Sequence, residues 1–421
     1  MKLFFNKMEN THSICAGIYF IGGPCVETDS NGGISHLIEH MMFRRWDDIP
    51  MKDLYDLFNK YGIDIDGGTN DECISFSGTA FEENVTWLVE MLLKTMNDFD
   101  WTQEELEQEK AVVIRQIEAK YVSRFDECAK EKYYRGTPFA KPIMGTEESV
   151  LDLSLEEVNS MRRKLFNSNN AALIVTGNYS DDTINRIKAL ADMHSEGVKV
   201  TENNDYKGFL PKNFGHRTYE DDIIMDGNTN EANIIISFDL DLKNGLDETA
   251  HALLNGVCGM GMGSSIWWEL REKRGWVGDD DGDLVGHRNF TRRTIDLTVE
   301  SEHLLETLDI IAREILNARE LPGKEVISKT INYYTHYPKL QDDPQVLNEH
   351  IEAYEFEWGI KAETAEEQVE DAKTITGEMI EKFGSKTLRS NNMSFYVYYD
   401  KRELRKRDIK KKILEIRRLL K

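Results

Sequence analysis

The chain has 421 residues, 52 basic and 76 acidic, with a net charge of −24, and 40% of the residues are hydrophobic. This length exceeds one ordinary core and suits two domains of roughly 200 residues each, and the apolar fraction excludes wholesale disorder. So large an acid excess excludes nucleic acid or an anionic membrane as the main partner, because phosphate binding runs on clustered Lys and Arg.

Residues 1–13 lack both the apolar region of a signal peptide and the Arg enrichment of a transit peptide, so the cytoplasm is the expected compartment. Cys15, Cys25, Cys73, Cys128 and Cys258 are odd in number and scattered without a CxxC pair, which predicts reduced thiols. No run reaches the ~18 apolar residues of a membrane span.

The β-branched and aromatic run Ser13–Gly22 predicts a buried strand closed by Gly22-Gly23-Pro24. Gly32-Gly33 opens a short helix through Phe43, and Met51–Tyr61 is a second helix closed by Gly62. Cys73–Phe81 alternates as a strand, and Phe81–Met96 is an amphipathic helix. Thr102 with Glu105 forms a capping box for a long helix. Ala171–Tyr179 is a strand, followed by a helix from about Asp181. From Ser195 to about Glu220 the chain turns polar and aperiodic, as an interdomain linker does. The order of elements then returns: strand, helix around a glycine-rich break, strand, two helices joined by a short turn, and a late strand before a terminal helix. Two copies of one α+β unit account for this pattern. The last 21 residues hold eleven basic and three acidic residues, a net +8. Ile409, Ile413, Ile416 and Leu420 fall on one face there, which reads as a packed last helix with a solvated basic side.

The chemistry sits in Gly33-Ile34-Ser35-His36-Leu37-Ile38-Glu39-His40. Residues four apart stack on one helical face, so both imidazoles can reach one metal ion. Glu39 lies beside them and can take a proton from water. Zinc is the natural metal for two neutral imidazoles, and it lowers the pKa of bound water toward about 7. His-x-x-Glu-His inverts the commoner zinc-protease order. Standing alone, the string also fits two solvent-facing histidines on an amphipathic helix.

Two longer stretches bear on that choice. HLIEHMMF is followed by GGTNDECISFSG and EQEKAVVIRQIE, and GMGMGSSIWWELREKRGWV stands in the second half. These resemble the pitrilysin/insulinase-type metallopeptidases, in the two-domain branch that includes the mitochondrial processing peptidase. The resemblance implies an α+β fold of two homologous domains, each a mixed, mostly antiparallel sheet flanked by helices, forming half of a clamshell. It places a peptidase domain in 1–197, a linker in 198–219 and a homologous domain in 220–421. It implies zinc on His36 and His40, Glu39 as general base, and the backbone following Cys73 as the strand that holds extended peptide. The third zinc ligand of the family is a glutamate; its position here is Gln116, a weaker neutral donor that leaves the site one negative charge short. Glu109, seven residues earlier on the same helical face, matches an acidic residue behind the ligands and is the alternative ligand.

In the second half Arg271 matches a substrate-contacting arginine, but the tyrosine expected seven residues later is Gly278, and the arginine of an SSRLF-like stretch is Ile266. Some pairs of the two-domain branch divide the zinc motif and the arginine–tyrosine pair between unlike subunits. The implied function is therefore a zinc metalloendopeptidase acting on an extended or precursor peptide, as the metal-bearing half of a heterodimer or as a homodimer. The alternative is a weak or inactive subunit that binds peptide or scaffolds an active partner.

Lesser motifs fail their tests. Asp279–Asp283 lacks the calcium-loop residues at the first and twelfth positions, Val277 and Arg288. Gly259–Gly263 has no Lys-Ser/Thr pair for phosphate, and Trp267 and Trp268 read as packing residues.

Overall fold

The computed structural model describes residues 1–119, 124–197, 207–242, 245–258, 263–278, 280–282, 284–336 and 343–421. Residues 198–206 of the expected linker, Gly259–Met262 of the glycine-rich break, and Asp279 and Asp283 of the acidic run lie outside the described residues. Two compact units interleave along the chain: one holds 1–121, 137–208 and 342–362, the other 122–136, 209–341 and 363–421.

The first unit is built on β1 (Lys2–Lys7), β2 (Ile14–Ile21), β5 (Asp64–Thr69), β6 (Cys73–Ala80) and β7 (Ala171–Gly177), in the order β1-β7-β2-β6-β5; a small hairpin, β3 (Arg45–Trp46) with β4 (Ile49–Pro50), stands apart. Only β1 and β7 run parallel. Every residue of β2 is buried, because both faces of the sheet are covered. Ile14, Ala16, Ile18 and Phe20 point into the main core beside the helix Glu82–Leu93. The alternate residue Cys15 faces the helix Pro344–Ile351, whose buried Asn348 donates Nδ2 to the carbonyls of Cys15 and Ile174 at 3.4 and 3.3 Å.

The second unit repeats this topology. β8 (Ile223–Gly227), β9 (Glu231–Leu240), β10 (Asp280–Asp281), β11 (Leu284–His287), β12 (Phe290–Glu300) and β13 (Met393–Asp400) run β10-β12-β9-β13-β8, with β11 also on β12. Again one outer pair is parallel, β8 with β13, and the rest are antiparallel. The sequence Ser-Asn-Asn makes a 3₁₀ turn immediately before β7 (Ser168–Asn170) and again before β13 (Ser390–Asn392). The exchange of helices is also reciprocal. Arg124–Tyr133, from the first half of the chain, packs in the second unit against β8 and β13. There Tyr133 donates its hydroxyl to Asp239 at 2.9 Å, and Arg217 grips the same carboxylate through two bonds of 2.8 Å. The terminal helix Lys406–Leu419 buries Ile409, Ile413 and Ile416 and leaves most of its cations outward.

Candidate active site

The helix Ile34–Met42 carries the histidine motif, and its start is held in two ways. Gly33 has φ 87°, and a Cβ there would stand 2.5 Å from the carbonyl oxygen of Met144, so only glycine fits. The buried Glu27 carboxylate accepts the N–H groups of Gly33 and Ser35, each at 2.9 Å, satisfying donors that a helix start leaves open. Leu37, Ile38, Met41 and Met42 bury one side of the helix, which turns His36 and His40 toward the helix Gln103–Ala119.

One ligating atom from each of His36, Glu39 and His40 lies within 4.8 Å of the other two, and the imidazole centroids are 4.7 Å apart. In both rings Nδ1 faces a carboxylate: His36 pairs with Glu39 Oε2 at 3.3 Å, and His40 with Glu109 Oε1 at 2.9 Å. His36 Nε2 is 3.3 Å from Gln116 Oε1. For His40 the arrangement resembles metal sites in which a carboxylate fixes the tautomer of a ligating histidine and leaves Nε2 for the ion. Glu109 is engaged on both oxygens, since Arg44 Nε pairs with Oε2. Burial opposes its ionised form, but the bonds from His40 and Arg44 prevail and hold it below the usual carboxylate range. Burial likewise works against the His40 imidazolium; the hydrogen bond to Glu109 and the charges of Glu39 and Glu109 outweigh it and raise the His40 pKa. Held this way, Glu109 orients His40.

Thr69, the last residue of β5, donates Oγ1 to Glu39 Oε2 at 3.3 Å. Gly67 on the same strand is close enough that a Cβ would stand 3.2 Å from Glu39 Oε1 and 2.6 Å from the Phe43 ring. The placement of β5 corrects one expectation. β6, the strand beginning at Cys73, is paired on both sides by β2 and β5, so its backbone is already spent in the sheet. Among the described strands the open edge beside the motif is β5.

Arg271 belongs to the second unit, on a π-helical stretch, Trp268–Glu272, with its guanidinium 4.8 Å from the Trp267 ring centroid. Gly278 has nothing within 4 Å of where a Cβ would stand. It borders an open acidic recess of about 560 Å³ lined by Asp126, Glu231, Trp276, Asp296 and Glu300. Sequence inspection missed Glu27, Arg44 and Thr69. Arg44 alone left a trace, a cation one helical turn past His40.

Residues 3–147 match the family model described as Insulinase (Peptidase family M16), and residues 152–333 match Peptidase M16 inactive domain. The chain is 21% identical over 344 residues to the uncharacterized zinc protease YmxG of Bacillus subtilis, covering 77% of this chain and 80% of that protein. It is 22% identical over 212 residues to mouse cytochrome b-c1 complex subunit 1, covering 49% of this chain and 43% of that protein. A protease structure from Helicobacter pylori superimposes with a TM-score of 0.80 at 13% identity, over 94% of this chain and 96% of the other. With both halves matched and the fold shared end to end, the chain belongs to the peptidase M16 family.

Proposed function

We propose that this chain is a zinc-dependent metalloendopeptidase that hydrolyses peptide bonds of an extended peptide or precursor segment. The observation that carries this is the convergence of His36, His40 and Gln116 beside Glu39. Two imidazoles, that of His40 with its Nδ1 held by the Glu109 carboxylate, suit zinc, and Gln116 adds an amide oxygen where a carboxylate would bind more tightly. Bound there, zinc supplies Lewis acidity and makes water acidic enough to ionise near neutral pH. Thr69 and His36 occupy Glu39 Oε2, so Oε1 is the atom we assign to take a proton from water and return it to the leaving amine. The edge of β5 offers backbone groups to an extended substrate, in the manner of strand addition. We assign Arg271 a part in positioning that substrate. The acidic recess at Gly278 supports a preference for basic peptides.

We further propose that a homologous chain completes the working chamber, as a heterodimer in preference to a homodimer. Gly278 and Ile266 support this, since the electrophilic half of the family's site is incomplete here. Five free cysteines support a reducing compartment, the cytoplasm. A second reading, a catalytically weak subunit that binds peptide or scaffolds an active partner, is favoured by the neutral Gln116 together with Gly278.

The test is zinc content per chain and peptide cleavage, measured on the chain alone and with a neighbour-encoded homologue. Zinc binding with cleavage in either setting supports the enzyme. Cleavage only with the partner supports shared sites, and no cleavage in either setting overturns the enzyme in favour of the second reading.

A further inference from the structure

A second cluster of ligating side chains lies in the first unit and uses none of the motif residues. Cys73 opens β6, while Glu352 and Glu357 come from the stretch Glu352–Trp358 that continues the helix Pro344–Ile351. That stretch is π-helical. In an α-helix five residues turn the chain by roughly 140° beyond a full revolution, which would point the two glutamates apart; a π-helical turn spans about five residues and puts them on one side. One ligating atom from each of Cys73, Glu352 and Glu357 lies within 4.8 Å of the other two. All three residues are buried, at 2%, 7% and 4% exposure.

The surroundings are short of positive charge. The neighbours acting most strongly on Glu352 are Glu357, Cys73, Glu349 and Glu72, none of them cationic. Glu357 Oε1 accepts a hydrogen bond from Asn70 Nδ2 at 2.8 Å, and Asn70 Oδ1 in turn accepts the N–H groups of Glu72 and Cys73, fixing the turn ahead of β6. Glu352 Oε1, although buried, has no hydrogen-bond partner. Burial raises the pKa of all three groups. The Cys73 thiol donates to the Ile74 carbonyl at 3.5 Å, so the unmet need in the cluster is Glu352 Oε1, a buried acceptor that a cation would satisfy.

We propose that Cys73, Glu352 and Glu357 form a second divalent-metal site, distinct from the histidine motif and selective for zinc-like ions. A thiolate with two carboxylates suits zinc better than calcium or magnesium, which prefer all-oxygen shells. Metal uptake sends the thiol proton, and any proton on the carboxyls, to solvent and leaves the thiolate and carboxylates as ligands. The ion ties the start of β6 to the π-helical stretch. Because Asn70 follows Thr69, the same turn that reaches Glu357 carries the residue bonded to Glu39.

Cobalt(II) tests the site without recourse to activity, because the histidine motif contains no thiolate. Full-length protein loaded with cobalt should show a thiolate-to-cobalt charge-transfer band in the near ultraviolet. The band should persist in a His36→Ala/His40→Ala variant retaining one metal per chain and vanish in Cys73→Ser. Glu357→Gln should weaken cobalt binding at least tenfold. Cobalt-saturated wild type without the band, or a folded Cys73→Ser variant that keeps it, overturns the proposal. Should Cys73→Ser fail to fold, the wild-type and double-histidine spectra decide alone.

Discussion

Replacing Gln116 by glutamate puts a carboxylate where a neutral amide now faces His36. Gln116 Oε1 stands 3.3 Å from His36 Nε2, and the residue is exposed. A unit charge about 4 Å from another is worth ~1 kcal/mol in bulk water and ~4 kcal/mol at an effective dielectric of 20. Exposure places Gln116 near the lower figure, and the double charge of the ion brings the gain to about 2 kcal/mol. That corresponds to roughly 30-fold tighter zinc binding. Competition against a chromogenic zinc chelator reads this directly, with circular dichroism as the check on folding. An affinity that stays level or falls in a folded Gln116→Glu protein would refute the placement of residue 116 among the ligands.

Other outcomes follow from the same geometry. Arg44→Met leaves Glu109 with one oxygen unpaired; we expect about 1–3 kcal/mol lower stability and zinc binding weakened by about 10–100-fold, read by denaturant melts and chelator competition, with Arg44→Lys recovering part of both. Asp239→Asn strands the buried Arg217, at a cost of about 3–5 kcal/mol in urea unfolding, while an effect below about 1 kcal/mol would contradict the bidentate grip. His251 is buried, and burial depresses its pKa well below the ordinary 6.5. The unfolded chain therefore binds the extra proton first, and stability should fall as pH drops through about 6.5. His251→Phe should flatten that part of a Tm-against-pH profile, and an unchanged slope would refute the assignment.

The two-unit α+β fold was legible because the order of strands and helices repeats; continuous apolar runs mark β2 and β7, and alternation marks β6, without tertiary information. The histidine motif was legible for a related reason: four-residue spacing on a helix is a local geometric fact. What remained hidden depends on contacts distant in sequence. Lys2–Lys7 is a partly buried edge strand whose parallel pairing with β7 spans most of a domain, so no local pattern announces it. Glu27 acts on the N–H groups of Gly33 and Ser35, and Thr69 on Glu39, through turns that sequence spacing does not define. The edge strand was hidden because Asp64–Thr69, with two aspartates and two glycines, carries no strand signal, and only its pairing with β6 reveals it. The reciprocal placement of Arg124–Tyr133 and Pro344–Ile351 was equally invisible, since each helix packs far from its neighbours in sequence.

The most direct measurement compares cleavage of a quenched fluorescent basic peptide by wild type and Glu39→Gln at matched zinc content, each with the homologous partner present. Matching the zinc content removes any effect of the lost Glu39–His36 contact on metal uptake, so loss of the base itself should lower the rate by at least about 100-fold. Equal rates in the two proteins would contradict Glu39 as the base and, with it, the central claim of a zinc peptidase working through this motif.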